Sequence, residues 1–178
     1  MGELNHIEHV TTKELTWKEK ILNNMPKGWV DAFGDLLCEE LSKAVDKLND
    51  NGFDILEVKE KFGSLRIYCG GTTSTEINDI ITKYEYISKY VCCQCGKPDV
   101  RMVDVGYSIP CCDSCYYKLY YKDLLYAESA IKHPALTPNY MTIHKYFGGH
   151  WKEEHVDISE TVKKIRERYA ERIKKAEE

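Results

Sequence analysis

The sequence predicts an α+β fold: long amphipathic helices, one β-hairpin, a small four-cysteine module and a C-terminal helical tail. Three observations lead there. Apolar residues recur at intervals of three and four over residues 29–48. Apolar residues alternate on both sides of Phe62-Gly63-Ser64. Two Cys-x-x-Cys pairs, Cys92/Cys95 and Cys112/Cys115, stand 16 residues apart.

Along the chain, Thr11-x-x-Glu14 has the form of a capping box, so a short helix is expected from there to about Met25. Pro26-Lys27-Gly28 then breaks it. Trp29, Val30, Phe33, Leu36, Leu37, Leu41, Ala44, Val45 and Leu48 form one face of a single long helix. Asn51-Gly52 ends that helix, glycine taking the left-handed conformation at little cost. Ile55, Leu56 and Val58 before the Gly63 turn, with Leu65, Ile67 and Cys69 after it, read as a β-hairpin. The polar loop 70–75 enters another helix, capped by Thr73-x-x-Glu76 and buried through Ile77, Ile80, Ile81, Tyr84, Ile87 and Val91. A tyrosine-rich helix is expected past Cys115 to about Lys132, broken by Pro134 and Pro138, and residues 133–156 read as irregular. Asp157-x-x-Glu160 opens a last helix with a narrow stripe of Val162, Ile165, Tyr169, Ile173 and Ala176. Glu160 can pair with Lys164 and Glu171 with Lys175. The expected units are a helix–hairpin–helix body (1–91), the cysteine module packed on it (92–116) and a mostly helical extension (117–178).

The chain has 178 residues, enough for one domain with or without an appendage. Its 43% hydrophobic and 30% charged content is that of a globular protein, not a disordered one. A net charge of −4 supplies no general attraction for duplex nucleic acid or an anionic membrane. No apolar run approaches the ~18 residues of a membrane span. The first residues lack the apolar stretch of a signal peptide, and His6 stands where N-myristoylation needs Ser or Thr. The expectation is a soluble cytoplasmic protein.

Six of the eight cysteines fall between positions 92 and 115. A reducing compartment disfavours disulfides, so the crowding points to metal. Thiolates two residues apart on a tight turn can occupy two corners of a tetrahedron, and Cys92, Cys95, Cys112 and Cys115 together supply all four. Gly96 follows the first pair, and a strand over 100–105 with a turn at Gly106 brings the second pair back. Cys93-x-Cys95 is too cramped for two ligands of one knuckle. Cys111-x-x-x-Cys115 keeps Cys111 open as an alternative to Cys112, and a redox dithiol is the competing chemistry. One structural Zn²⁺ is the expected cofactor, since four thiolates leave no position for water. Cys38 and Cys69 read as buried apolar residues.

Gly28-Trp29 with Phe33 and the Leu37-Cys38-Glu39-Glu40-Leu41 string, then residues 58–68 (VKEKFGSLRIY), Tyr84-Glu85 to Ser88 and the cysteine pairs, together resemble a family of small phage- and prophage-encoded proteins. The similarity covers roughly residues 26–116, and KEKFG-x-LR is its most specific string. The resemblance implies phage origin and this architecture, but no assigned reaction. Residues after Cys115 do not match it.

Four further constellations are candidates. Lys59, Lys61 and Arg66 of the hairpin, with Gly70, Gly71, Thr72 and Thr73 at a helix N-terminus, form a candidate phosphate site for a nucleotide-like ligand; the spacing is not that of a P-loop. Tyr116, Tyr117, Tyr120 and Tyr121, with Tyr126 and the nearby Lys118 and Lys122, suit a protein interface or single-stranded nucleic acid, or pack as core. His144, His150 and His155, with nearby acids, are a candidate second metal site, though their spacing fits no known ligand pattern. The last helix can dock on its own chain or pair with a second copy as a homodimer. The expected function is non-enzymatic binding of a host protein or small phosphorylated ligand, inhibiting a bacterial defence component. A zinc-ribbon nucleic-acid binder and a hydrolase using the tail histidines are the alternatives.

Overall fold

In a computed structural model of the chain, the described residues are 14–48, 52–104, 106–119 and 136–178. The fold is α+β: three two-stranded antiparallel sheets and the helices around them contribute to a shared buried core.

Helix α1 (Trp17–Asn24) starts later than the Thr11-x-x-Glu14 pattern implies. Thr16 caps it: Thr16 Oγ1 accepts from Glu19 N at 3.3 Å, and Glu19 Oε2 accepts from Thr16 N at 2.8 Å. Thr16-x-x-Glu19 satisfies the same capping rule. It directly precedes Trp17, whose ring meets Phe53 edge-on at 5.5 Å, and that contact favours the later start.

The single helix expected over 29–48 is three segments: α2 (Lys27–Trp29), a π-helical turn (Val30–Gly34) and α3 (Asp35–Val45). Pro26 precedes α2 and Gly28 lies inside it, so Pro26-Lys27-Gly28 begins a helix rather than only ending one. Proline's fixed φ suits that position, where its missing N–H has no helical partner to lose. The wide turn buries Ala32, Phe33 and Gly34 in succession. An ordinary α-helical stripe does not bury three consecutive residues. Trp29 is fully buried, and its Nε1 donates to Val91 O at 2.8 Å.

Strands β1 (Asp54–Lys61) and β2 (Ser64–Gly70) pair with Lys61 opposite Ser64. Phe62 and Gly63 make the two-residue turn, with φ of +52° and +78°. An irregularity between Ile55 and Glu57 accompanies an outward Leu56, 71% exposed, which is therefore not a core residue. Helix α4 (Thr75–Ser88) covers the other edge of β2. Ser88 Oγ accepts from Leu65 N at 2.8 Å, and Glu85 Oε1 accepts from Ile67 N at 3.0 Å. Side chains thus satisfy amides that an open sheet edge would expose. The cap of α4 is Ser74, accepting from Ile77 N, not Thr73. Strands β3 (Arg101–Asp104) and β4 (Ser108–Cys111) follow, then the short helix α5 (Asp113–Leu119).

The tail departs most from expectation. Residues read as irregular form a hairpin, β5 (Tyr140–Phe147) with β6 (His150–Asp157). Its turn is Gly148-Gly149, both at positive φ, as a two-residue hairpin turn of this hand requires. Every residue of β6 except Val156 is exposed, which is why hydrophobic alternation is weak there. Helix α6 (Ser159–Glu177) then returns to the body, burying Ile158, Val162 and Ile165 in the core with Met141. The described part of residues 117–178 is therefore not a mostly helical extension. Glu160 and Lys164 approach to 3.7 Å; among the described residues, Lys163–Glu167 is the next such pair and Glu171–Lys175 is not one. The expected helix over 120–132 lies outside the described residues. No described helix is long and apolar enough to cross a membrane.

The start of α2 lies against the first cysteine pair. A Cβ added at Gly28 would stand 2.3 Å from Cys92 O, whereas one at Gly34 would meet only side chains, the nearest being Leu22 Cδ2 at 2.9 Å. Gly28→Ala is expected to cost about 3 kcal/mol or more, because backbone must move, and Gly34→Ala to stay within about 1 kcal/mol. Chemical denaturation of the two variants measures the difference.

Candidate metal centre

Cys92 and Cys95 sit on a tight knuckle after α4. Cys92 N donates to Lys97 O at 2.8 Å, and Gly96 N to Cys92 O at 2.9 Å. Gly96 closes the turn at φ +72°. The β3–β4 hairpin returns the chain, and Cys93 N donates to Pro110 O at 3.0 Å, tying knuckle to hairpin. Cys112 immediately precedes α5 and Cys115 lies in its first turn; Tyr116 N donates to Cys112 O at 2.9 Å.

The four Sγ atoms all lie within 4.8 Å of one another, and Cys95 and Cys112 are 3.6 Å apart. A tetrahedron with metal–sulfur bonds of ~2.3 Å has edges of about 3.8 Å, whereas a disulfide needs ~2.05 Å. All eight cysteines are free. The donor set therefore fits one four-coordinate ion held by soft ligands. Cys111 is buried but outside this group, and its Sγ donates to Cys112 O at 3.5 Å. Cys112 is thus the better-placed ligand. Contacts from the thiols of Cys111, Cys112 and Cys95 hold the Cys92 thiol well below its ordinary pKa, favouring its thiolate. The same contact with Cys92, reinforced by burial, pushes Cys111 upward. Burial pushes Cys38 and Cys69 up to about 11, which makes them inert thiols at neutral pH. Cys38 is buried, but Cys69 is only half-buried.

The rest of the fold closes around the knuckle. Gly28 N donates to Cys93 O at 3.0 Å, and a Cβ at Gly96 would lie 2.5 Å from Gly28 O. From α6, Arg172 Nη2 donates to Cys95 O, while Nη1 lies 3.5 Å from Asp31 of the π turn. Arg166 grips Asp99 with two hydrogen bonds of 2.8 and 2.9 Å. Thr137 adds two more, from its N at 2.9 Å and its Oγ1 at 2.8 Å. An isolated Asp and two arginines on a charged helix carry no spacing signal.

The other predicted site residues are dispersed. Lys59 pairs with Glu57 at 2.6 Å and lies over the Tyr68 ring at 5.1 Å. Arg66 donates to Leu65 O at 2.8 Å and approaches Glu85 at 3.8 Å. Lys61 lies 5.5 Å from the Phe62 ring centroid. Gly70 and Gly71 are at the other end of the hairpin, where Gly70 faces Asp54 and Gly71, at φ +68°, abuts Gly52. Thr72 N donates to Gly52 O at 3.3 Å, and Thr73 lines a shallow cleft beside Cys69 and Glu85. Lys61 stands opposite Ser64, six residue steps or about 20 Å from Gly70, and Lys59 stands opposite Arg66, about 13 Å from Gly70, so the cations and the glycine–threonine loop lie at different heights of the hairpin and do not form one compact phosphate site. Tyr116 is buried against the module, and Tyr117 is 36% exposed beside it at 6.0 Å. Tyr120, Tyr121 and Tyr126 lie outside the described residues. His144 faces Glu153 at 3.8 Å, and His155 faces Thr142 at 3.2 Å. His150 falls, by strand alternation, on the opposite face of the hairpin. The three histidines therefore do not converge, and among the described residues the four cysteines are the metal-competent group.

Fold and site together define a small α+β protein organised on a four-cysteine cluster able to hold a metal ion. Comparison of the chain with protein-family models, curated proteins and solved structures finds no match.

Two predictions follow from this geometry. Cys112→Ser is expected to lose the bound metal on gel filtration and Cys111→Ser to keep it, read by elemental analysis of the purified chains. The second concerns acid stability. Burial raises the Asp99 pKa, but the hydrogen bonds from Arg166 and Thr137 outweigh it and leave the pKa below the ordinary value. A carboxylate whose pKa falls on folding stabilises the fold while ionised. Its contribution is complete above about pH 5 and fades as pH drops below the ordinary ~3.9. Asp99→Asn is therefore expected to cost about 1–2 kcal/mol near pH 7, allowing for the partly exposed Arg166, with the gap from wild type closing toward pH 3 in urea titrations.

Proposed function

We propose that the chain is a non-enzymatic binding protein whose one metal ion, zinc, is structural. The supporting observation is the donor set: four thiolates saturate a tetrahedral ion and leave no position for water or substrate. The knuckle is also clamped by backbone at Gly28 and by Arg172, an arrangement suited to holding shape rather than exchanging ligands. The sequence resemblance supports a phage accessory protein that engages a host protein or a small phosphorylated ligand and so blunts a bacterial defence.

In a bacterial host whose defence restricts a test phage, expression of the intact chain is expected to restore plaque formation, and Cys92→Ser to abolish that rescue. The purified chain should carry one zinc per molecule. A metal-dependent turnover by the purified chain, or plating unchanged across a panel of defence-carrying hosts, overturns the reading.

A further inference from the structure

The turn at the tip of β1–β2 is chemically unusual. Phe62 adopts φ +52°, a left-handed conformation that is costly for a bulky L-residue and that Asn or Gly takes readily. Its ring gains little from the core, being 77% exposed. Gly63 seats this tip on the next hairpin: an added Cβ would lie 2.4 Å from Met102 Sδ and 3.1 Å from Ser108 O. Strain retained at an exposed aromatic is a pointer to function when the surroundings form a site.

They form one here. A cavity of 310 Å³ lies between the two hairpins and the end of α4, lined by Phe62, Tyr86, Lys89, Tyr90, Met102 and Ser108. The Tyr86 and Tyr90 rings are 5.7 Å apart. Lys89 Nζ stands 5.7 Å from the Tyr86 ring, and Lys61 Nζ 5.5 Å from Phe62. Neither lysine forms an ion pair with an acid among the described residues. Glu60 Oε1 accepts from Gly63 N at 2.6 Å. Glu85 accepts from Ile67 N and approaches Arg66 at 3.8 Å, and it also attracts Lys89 without reaching ion-pair distance.

We propose that this cavity binds a single nucleotide, its base stacked on Phe62 and the Tyr86–Tyr90 pair and its phosphate held by Lys89. Aromatic faces select a flat π system. The Lys89 cation repels a cationic ligand and favours an anionic one. The volume is at the small end of ligand pockets, about 300–1,000 Å³, which suits one nucleotide. The chain's net charge of −4 works against a long polyanion, so a free nucleotide is favoured over a nucleic-acid strand. The proposal rests on the binding-protein reading and names its ligand.

The test is calorimetric titration of the zinc-loaded full chain with the nucleoside 5′-monophosphates, the nucleosides, inorganic phosphate and a single-stranded oligonucleotide, with the recovered nucleotide analysed by chromatography. At least one monophosphate is expected to bind more tightly than its nucleoside or phosphate alone. Phe62→Gly should raise Tm, by relieving the left-handed strain, yet weaken monophosphate binding at least about tenfold, the scale of one lost base stack. Lys89→Gln should weaken the monophosphate and leave the nucleoside unchanged. Monophosphate binding no tighter than phosphate, or indifferent to Phe62→Gly, overturns the pocket while the binding-protein reading stands. Binding of the oligonucleotide without any monophosphate also overturns it. A nucleotide bound with these variant effects but recovered hydrolysed supports the pocket and overturns the non-enzymatic reading.

Discussion

Four sulfur atoms drawn within 4.8 Å of one another are the constraint on which the described structure depends. Bringing them together requires the knuckle to turn at Gly96 and the β3–β4 hairpin to return the chain. It also requires the body to approach the knuckle closely enough for Gly28 to bond Cys93. That approach admits no side chain: Gly28 and Gly96 each press on the other's segment, with added Cβ atoms inside 3 Å of backbone. The π turn follows directly, and Ala32 packs beside Gly96. Arg172 of α6 then reaches Cys95 O and Asp31 at the same junction. Body, module and final helix therefore meet around one point.

Helix α4 is the second organiser, and its polar residues do structural work that their exposure pattern would not suggest. Tyr84, fully buried, donates its hydroxyl to Glu40 at 3.0 Å and stacks near Phe33. Glu85 and Ser88 bond the outer amides of β2. A buried amide without a partner costs about 1–3 kcal/mol, so these bonds matter more than two surface hydrogen bonds would. The strings Trp29, Tyr84-Glu85 and Ser88, on which the sequence resemblance rests, thus have architectural reasons to be where they are. Phe62 does not; its backbone is strained and its ring is exposed.

The legible part of the fold is the part carried by local rules. Two Cys-x-x-Cys pairs announce a site because thiolate spacing on a turn is a short-range property. The mixed α+β character is visible because the helical period over 29–48 and the alternation around Gly63 differ so plainly. Capping is less readable: Thr73-x-x-Glu76 has the capping-box pattern, yet Ser74, followed three residues on by Ile77, is the cap, so the box alone does not locate the helix start. The π turn is invisible to any 3.6-residue template. The β5–β6 hairpin is not legible from alternation, because an almost wholly exposed strand has no reason to alternate, although Gly148-Gly149 is a usable turn signal. Asp99 with Arg166, 67 positions apart, exists only once the core is folded.

The four-cysteine cluster and the cavity beside Phe62 look independent, but here they share a hairpin. Met102 and Ser108 line the cavity and belong to the β3–β4 hairpin that lies between the two cysteine pairs in the chain. The distance between those pairs fixes how the hairpin stands, and the hairpin fixes where the Phe62 turn can rest, through Gly63 against Met102. On the proposed readings, an ion that takes no part in recognition would still set the shape of the recognising surface. The strain at Phe62 is tolerable on the same account: a rigid support beneath Gly63 holds a turn that a free hairpin would relax.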